Sequence, residues 1–347
     1  MEMNKKISLG KIFPPTFRLV AMPLVAVLLI SLLMSSSSHK TTIFIIGDST
    51  AAEKGNYRNY PERGWGMVFQ GCFDDQIIVD NHAVNGRSSK SFLDEGRWQK
   101  ILDKMQPGDY VIIQFGHNDE KKFPNRYTIP GGTFDAHLAK YVNETRQKGG
   151  IPVLMNSVVR RCYYSADLEN DDDEMLRGKA YAGEEKINSD TLIDTHGAYV
   201  VAPRHVAKAL NVPFVDATKI THDIETGLGI KGSRKLHMWF LPGENPQVSK
   251  GKQDNTHYNV YGAHVVANAL ADALAEQVPA LKKHVRHYDY VVSAEGRGNY
   301  MKLQEAVDAV PANSSATILV LGGKWKKPAN MEGKSIRFVK QFGAAIE

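Results

Sequence analysis

From residue 41 onward, short apolar runs alternate with stretches of helical spacing, and this alternation constrains the fold more than any other feature of the chain. The runs cover residues 41–47, 76–80, 109–115, 151–159 and 212–216, and the helical stretches cover 93–104, 134–148, 199–210 and 261–277. The runs are near-continuously apolar, as expected of strands covered on both faces. Strands separated in this way predict βαβ units and one parallel sheet. In such sheets ligands bind beyond the carboxyl ends of the strands, so the polar motifs that follow the runs are where chemistry is expected.

Four motifs qualify. Gly47-Asp48-Ser49-Thr50 closes the first run. It presents Ser49 at the top of the sheet, at the entry to the next segment, where helical backbone N–H groups favour developing negative charge. A serine hydroxyl is a weak nucleophile without a base. Asp254-Asn255-Thr256-His257 supplies one. An imidazole takes a proton near neutral pH, and a carboxylate orients it and stabilises the imidazolium. The spacing of three residues predicts one helical turn with Asp254 and His257 on one face. After the second run, Gly86 in Asn85-Gly86-Arg87-Ser88-Ser89 allows close backbone approach, and its N–H is a candidate oxyanion donor. After the third, Gly116-His117-Asn118-Asp119 offers the Asn118 amide as another donor. Each block alone is ordinary turn or capping chemistry. Together they supply a nucleophile, a base, its orienter and two donors.

These blocks, in this order, resemble those of the SGNH (GDSL-type) hydrolases. The resemblance extends to bacterial rhamnogalacturonan acetylesterases through Gly64-Trp65-Gly66, Gln114-Phe115-Gly116-His117-Asn118-Asp119, Val159-Arg160-Arg161, Asp194-Thr195-His196-Gly197 and Asp254-Asn255-Thr256-His257-Tyr258-Asn259. It covers roughly residues 41–278. It implies a flavodoxin-like three-layer α/β/α sandwich on a five-stranded parallel sheet. It also implies Ser49, His257 and Asp254 as a triad, and an oxyanion hole from the Ser49 and Gly86 N–H groups and the Asn118 side chain. The implied reaction removes acetyl groups from the galacturonate of acetylated pectic rhamnogalacturonan, with no cofactor. Arg87, Arg160 and Arg161 fall in loops on the same side of the sheet. A guanidinium suits a carboxylate, so Arg87 and Arg160 are expected to bind the acidic sugar. The same blocks would serve an esterase for xylan acetyl groups or small acyl esters. A non-catalytic carbohydrate-binding protein is a further alternative, against which the complete set of blocks argues.

The remaining features bound the setting. The formal charge of +5 is an excess at the two ends, with +3 over residues 1–36 and +5 over 282–347, and the middle is acidic. No clustered basic face of the kind nucleic acid requires is seen. Lys5, Lys6, Lys11 and Arg18 precede an apolar run over 19–34 and the serines 35–38. That is the pattern of an export signal over residues 1–38, shorter than a comfortable membrane span. It predicts a secreted or periplasmic protein, anchored in the membrane only if the signal is retained. Cys72 and Cys162 are either a disulfide or two buried thiols. The histidines show no metal-ligand spacing, and His117, His196, His205 and His264 read as structural. Two stretches, 160–196 with the acidic run 171–174 and 220–253, look like loops or small helices walling a cleft. The sequence does not fix an oligomeric state.

A last segment, 282–347, follows the hydrolase region 39–281. Val291-Val292-Ser293-Ala294-Glu295-Gly296-x-Gly298-Asn299-Tyr300 and the stretch to Pro311 resemble the opening of a pectin methylesterase, a right-handed parallel β-helix. The resemblance implies a short β-helix-like stump. Several stacked coils are needed to bury such a core, and the family's catalytic residues lie farther downstream, so no second activity is expected here.

Overall fold

The computed structural model describes residues 40–165, 178 and 180–347. The segment 1–38, read as an export signal, and the acidic run 171–174 lie outside the described residues. Residues 41–347 form one compact unit. Among the described residues, no helix is long and apolar enough to cross a membrane.

Strand β1 spans Thr41–Gly47, and the two-residue β2, Glu62–Arg63, belongs to a smaller sheet. Strands β3 (Ile77–Asn81), β4 (Tyr110–Gln114), β5 (Ile151–Met155) and β6 (Phe214–Val215) join β1 in the main sheet. Its order is β3-β1-β4-β5-β6, and every pair is parallel. The chain moves from β1 to one neighbour and then back across to the other. The sheet therefore reverses direction at β1, and the crevice at such a switch point opens beyond the strand's carboxyl end. Ser49 follows β1 there.

Successive side chains of β1 serve opposite faces, as a strand's period of two requires. Ile43 and Ile45 enter one core with Trp65, Phe69 and the helix α6 described below, while Phe44 and Ile46 enter the other with Phe92, Trp98 and Phe134. The main helices of this part are α1 (Ser89–Asp94), α2 (Arg97–Lys104), α3 (Thr133–Gln147), α4 (Ala198–Leu210), α5 (Ala217–Gly232) and α6 (Val260–Gln277). Helix α6 brings Ala263, Val266, Ala267, Leu270, Ala271 and Leu274 to the first face, the i, i+3, i+4 stripe of a packed helix. The three-layer sandwich on a five-stranded parallel sheet is as the sequence predicts.

Three local expectations need correction. The stretch 93–104 is two helices, because Gly96 adopts a left-handed φ of 66° and ends the first. The region 220–253, expected as loops or small helices, holds most of α5, the strand β7 (His237–Phe240) and the first two residues of β8 (Lys252–Asn259), which pairs antiparallel with β7 and β2. Asp254 and His257 thus lie on a strand and not on a helical turn. Cys72 and Cys162 are buried thiols and are not joined in a disulfide.

The C-terminal residues form β9 (Tyr290–Ser293), α7 (Leu303–Ala309), β10 (Ser315–Leu321), β11 (Lys324–Trp325), β12 (Ser335–Gln341) and β13 (Ala345–Ile346). Strands β12, β10 and β9 pair in parallel, as do β11 and β13. Val292, Leu303, Val307, Ile318 and Val320 make a separate small core. This segment docks on residues between β1 and β3. Arg63 donates from Nε to the Gly296 carbonyl at 2.9 Å, and from its terminal nitrogens to the Tyr60 and Tyr57 carbonyls, each at 2.9 Å. Gln341 donates to the Phe73 carbonyl at 3.0 Å.

Candidate active site

Residues 48–51 make a single turn and not the start of a helix. The Asp48 carboxylate accepts the Thr50 N–H at 2.9 Å and the Thr50 hydroxyl at 2.8 Å. The helical N–H groups expected beside Ser49 are therefore absent from its own segment. The turn is held from outside by Lys54, which donates to the Ser49 carbonyl at 2.6 Å and to Asn85 Oδ1 at 2.8 Å, and pairs with Glu62 at 2.8 Å. Lys54 and Glu62 are buried, so each charge is compensated by the other.

The antiparallel pair β7–β8 delivers the base. Its register runs His237 to Tyr258 and then Met238 to Asp254, so Asn255, Thr256 and His257 have no partners across the ladder. A bulge of this kind redirects side chains. The Asp254 Oδ1 accepts the N–H groups of Thr256 at 2.9 Å and His257 at 3.0 Å in place of ladder bonds. Oδ2 accepts His257 Nδ1 at 2.8 Å. A carboxylate only accepts, so Nδ1 carries the proton and Nε2 offers its lone pair. That lone pair meets Ser49 Oγ at 3.0 Å. Burial alone would raise the Asp254 carboxyl, but the imidazole beside it and the two backbone N–H groups outweigh burial and hold it below its ordinary value. Asn255 is braced by Arg161, whose N–H meets its carbonyl and whose guanidinium meets its side chain, each at 2.9 Å. Arg161 is fully buried and paired with Glu185.

Gly86 has a φ of 72°, a conformation that costs a side-chain-bearing residue energy. Asn118 is buried, and its Nδ2 donates to the Arg87 carbonyl at 3.3 Å. The neighbouring Asp119 ties the two loops together. Its carboxyl accepts the Ser89 N–H at 3.1 Å, the Ser89 hydroxyl at 2.5 Å and the Thr128 hydroxyl at 3.0 Å. Burial pushes it up to about 7 despite these hydrogen bonds, with Asp48 adding to the rise.

The two arginines assigned to substrate differ. Arg87 is about one-third exposed and pairs with Glu95 at 3.1 Å. Arg160 is nearly buried, pairs with Glu120 at 2.7 Å and donates to Thr195 Oγ1 at 3.1 Å. Glu120 also takes His196 Nδ1 at 2.9 Å, and the His196 ring meets the His117 ring edge-on at 4.4 Å. Burial holds the His117 imidazole well below its ordinary value, and neighbouring His196, Arg160, Lys121 and His257 reinforce this. His205 lies on α4. His264 is buried in α6. Sequence reasoning missed Lys54, which carries no motif, and Arg126, whose segment 120–132 has no periodicity.

Comparison with known proteins gives the family of the chain. The GDSL-like Lipase/Acylhydrolase family model matches residues 45–265. The chain is 36% identical over 255 residues to the rhamnogalacturonan acetylesterase RhgT of Bacillus subtilis (strain 168), covering 74% of this chain and 96% of the relative. It is 32% identical over 235 residues to the probable rhamnogalacturonan acetylesterase YesY of the same organism, covering 67% of this chain and 92% of the relative. A solved structure, protein YXIM of Bacillus subtilis, superposes with a TM-score of 0.52 at 21% identity, covering 69% of this chain and 57% of that one. At that identity the likeness bears on the fold alone.

Proposed function

The chain is a carboxylic ester hydrolase of the GDSL-like lipase/acylhydrolase family, and from that premise we propose that it removes O-acetyl groups from pectic rhamnogalacturonan with Ser49 as nucleophile. The observation that carries the reading is the buried line of hydrogen bonds from Asp254 through His257 to Ser49, 2.8 and 3.0 Å long. Ser49 Oγ attacks the acetyl carbonyl as His257 Nε2 takes its proton, and the carbonyl oxygen becomes an oxyanion. The Ser49 and Gly86 N–H groups and the Asn118 amide donate to that oxyanion. The imidazolium, held by Asp254, then protonates the departing sugar oxygen and leaves an acetyl-serine. Water attacks the acetyl-serine with His257 again as base, and acetate leaves.

The substrate half of the proposal rests on the curated relatives, two of which are named for rhamnogalacturonan, and on rim chemistry suited to an acidic polymer. Arg87, partly exposed, is proposed to meet a galacturonate carboxylate. Arg160, paired with Glu120, is proposed to act on the sugar chiefly by holding the Glu120–His196–His117 row in place. A polymer of this kind is met outside the cell, in keeping with residues 1–38 as an export signal. Residues 39–281 would then carry the chemistry.

Acetate release from acetylated rhamnogalacturonan, acetylated xylan and an aryl acetate tests the reading. The expected kcat/KM on rhamnogalacturonan exceeds that on xylan by about tenfold or more, a difference of about 1.4 kcal/mol in transition-state binding. Equal or better hydrolysis of xylan would reject the pectic substrate.

A further inference from the structure

Arg126 stands against the glycine assigned to the oxyanion hole. A methyl group built on Gly86 would lie 3.7 Å from one terminal nitrogen of Arg126, and 3.8 Å from both its Cζ and its other terminal nitrogen. Near-equal distances to three atoms of the guanidinium mean that its plane faces Gly86. A guanidinium packed by its face keeps its N–H donors in the plane parallel to that surface, the orientation in which a carboxylate along the rim is bound edge-on.

The position of Arg126 is fixed by its segment. Its N–H and that of Tyr127 both donate to the Phe123 carbonyl, at 2.9 and 2.8 Å. The Thr128 N–H donates to the Asp119 carbonyl at 3.0 Å, and the Thr128 hydroxyl meets the Asp119 carboxyl, which also holds Ser89. One buried carboxyl thus ties the Arg126 segment to the Gly86 loop. Lys90 adds a bond to the Pro124 carbonyl at 3.0 Å, and Tyr199 donates to the Thr128 carbonyl at 2.5 Å. The guanidinium lies 5.5 Å from the centre of the Phe123 ring. Phe123, Tyr127 and Ile129 are 45%, 39% and 54% exposed. Three large apolar side chains kept in water over one short segment are unusual without an occupant, and aromatic faces with a polar edge suit a sugar ring.

We propose that Arg126 is a specificity-determining residue that binds a uronate carboxylate within one sugar of the acetyl group, with Phe123 and Tyr127 as the platform for the ring. The inference rests on the acidic-polymer reading above and deepens it. It assigns the discrimination between acidic and neutral acetylated chains to a residue beside the oxyanion loop.

The test measures kcat and KM for wild type, Arg126→Ala and Arg126→Lys. The substrates are acetylated rhamnogalacturonan, the same polymer with its carboxyls reduced to alcohols, and p-nitrophenyl acetate. Wild type is expected to lose about tenfold or more in kcat/KM when the carboxyls are reduced. Arg126→Ala is expected to lose about as much on the native polymer, mostly in KM, and much less on the reduced one, so that its preference between the two collapses. Arg126→Lys should restore part of the preference, since it keeps the charge but not the planar fork. If wild type shows no preference for the native polymer, the acidic-substrate reading is wrong and this inference falls with it. If wild type shows the preference and Arg126→Ala keeps it, the reading stands and Arg126 does not read the carboxylate. A parallel fall in kcat on all three substrates would also overturn the inference, because it would make Arg126 a support for the Gly86 loop.

Discussion

His257 Nε2 lies 3.0 Å from Ser49 Oγ across 208 residues of sequence. The contact joins the switch point of the parallel sheet to a bulge in a separate antiparallel sheet. Neither sheet alone makes the site.

Removal of either partner should therefore abolish most of the activity. Ser49→Ala and His257→Ala are each expected to lower kcat by about 10⁴- to 10⁶-fold, and the double variant should be no worse than the poorer single one, because the two act as a unit. Asp254→Asn should lower kcat by about 10⁴-fold with the fold retained, by presenting the wrong imidazole tautomer to Ser49. Steady-state kinetics on an aryl acetate, with circular dichroism as the control for folding, check all four.

Asn118→Ala should lower kcat by about 10²- to 10³-fold with little change in KM, as expected for one donor used mainly in the transition state. A rise in KM at constant kcat would instead assign Asn118 to ground-state binding.

How much of this was legible in the sequence follows from the physics of each element. Strands β1, β4 and β5 could be read because burial on both faces demands unbroken apolar runs. The nucleophile, base and donors could be read because they sit in short blocks directly after such runs. The support of Asp254 and His257 was misread. A spacing of three fits a helical turn, but it also fits a carboxylate that takes two backbone N–H groups within a bulge. Strand β8 was hidden because Lys252, Gln253 and Asp254 give no apolar signal, although Lys252 and Asp254 are buried, and β7 because it holds only three apolar residues, Met238, Trp239 and Phe240. Lys54 and Arg126 were invisible for a different reason. Lys54 reaches Asn85 and Arg126 reaches Gly86 across tens of residues of sequence, and a spacing along the chain does not encode such contacts.

The docking of the C-terminal segment should be sensitive at one residue. Gly296 has a φ of 74°, and a Cβ there would stand 2.5 Å from Cδ2 of Tyr57. Gly296→Val should cost about 1–3 kcal/mol through backbone strain and overlap. A lower Tm and faster proteolytic cleavage within 282–289 are the expected readouts; an unchanged melt would mean that the segment docks independently of this turn.

His264 should make stability depend on acid. Burial lowers its imidazole to about 4, against a smaller upward pull from its hydrogen bond to the Gly298 backbone. The unfolded chain titrates near the ordinary value, about 6.5. Between these values the unfolded state holds the extra proton, so stability is full above about 6.5 and is lost as pH falls toward 4, by up to about 3 kcal/mol. His264→Gln should flatten the Tm profile over that window, as measured by thermal melts from pH 4 to 7.

The central claim, that Ser49 is the nucleophile activated by His257, is tested most directly by intact-mass analysis after reaction with a p-nitrophenyl phosphonate ester. The account predicts one phosphonyl adduct per chain, located by peptide mapping on Ser49, with activity lost in proportion and labelling strongly slowed in His257→Ala. Loss of activity with the adduct on another residue, or full labelling of His257→Ala at the wild-type rate, would contradict it.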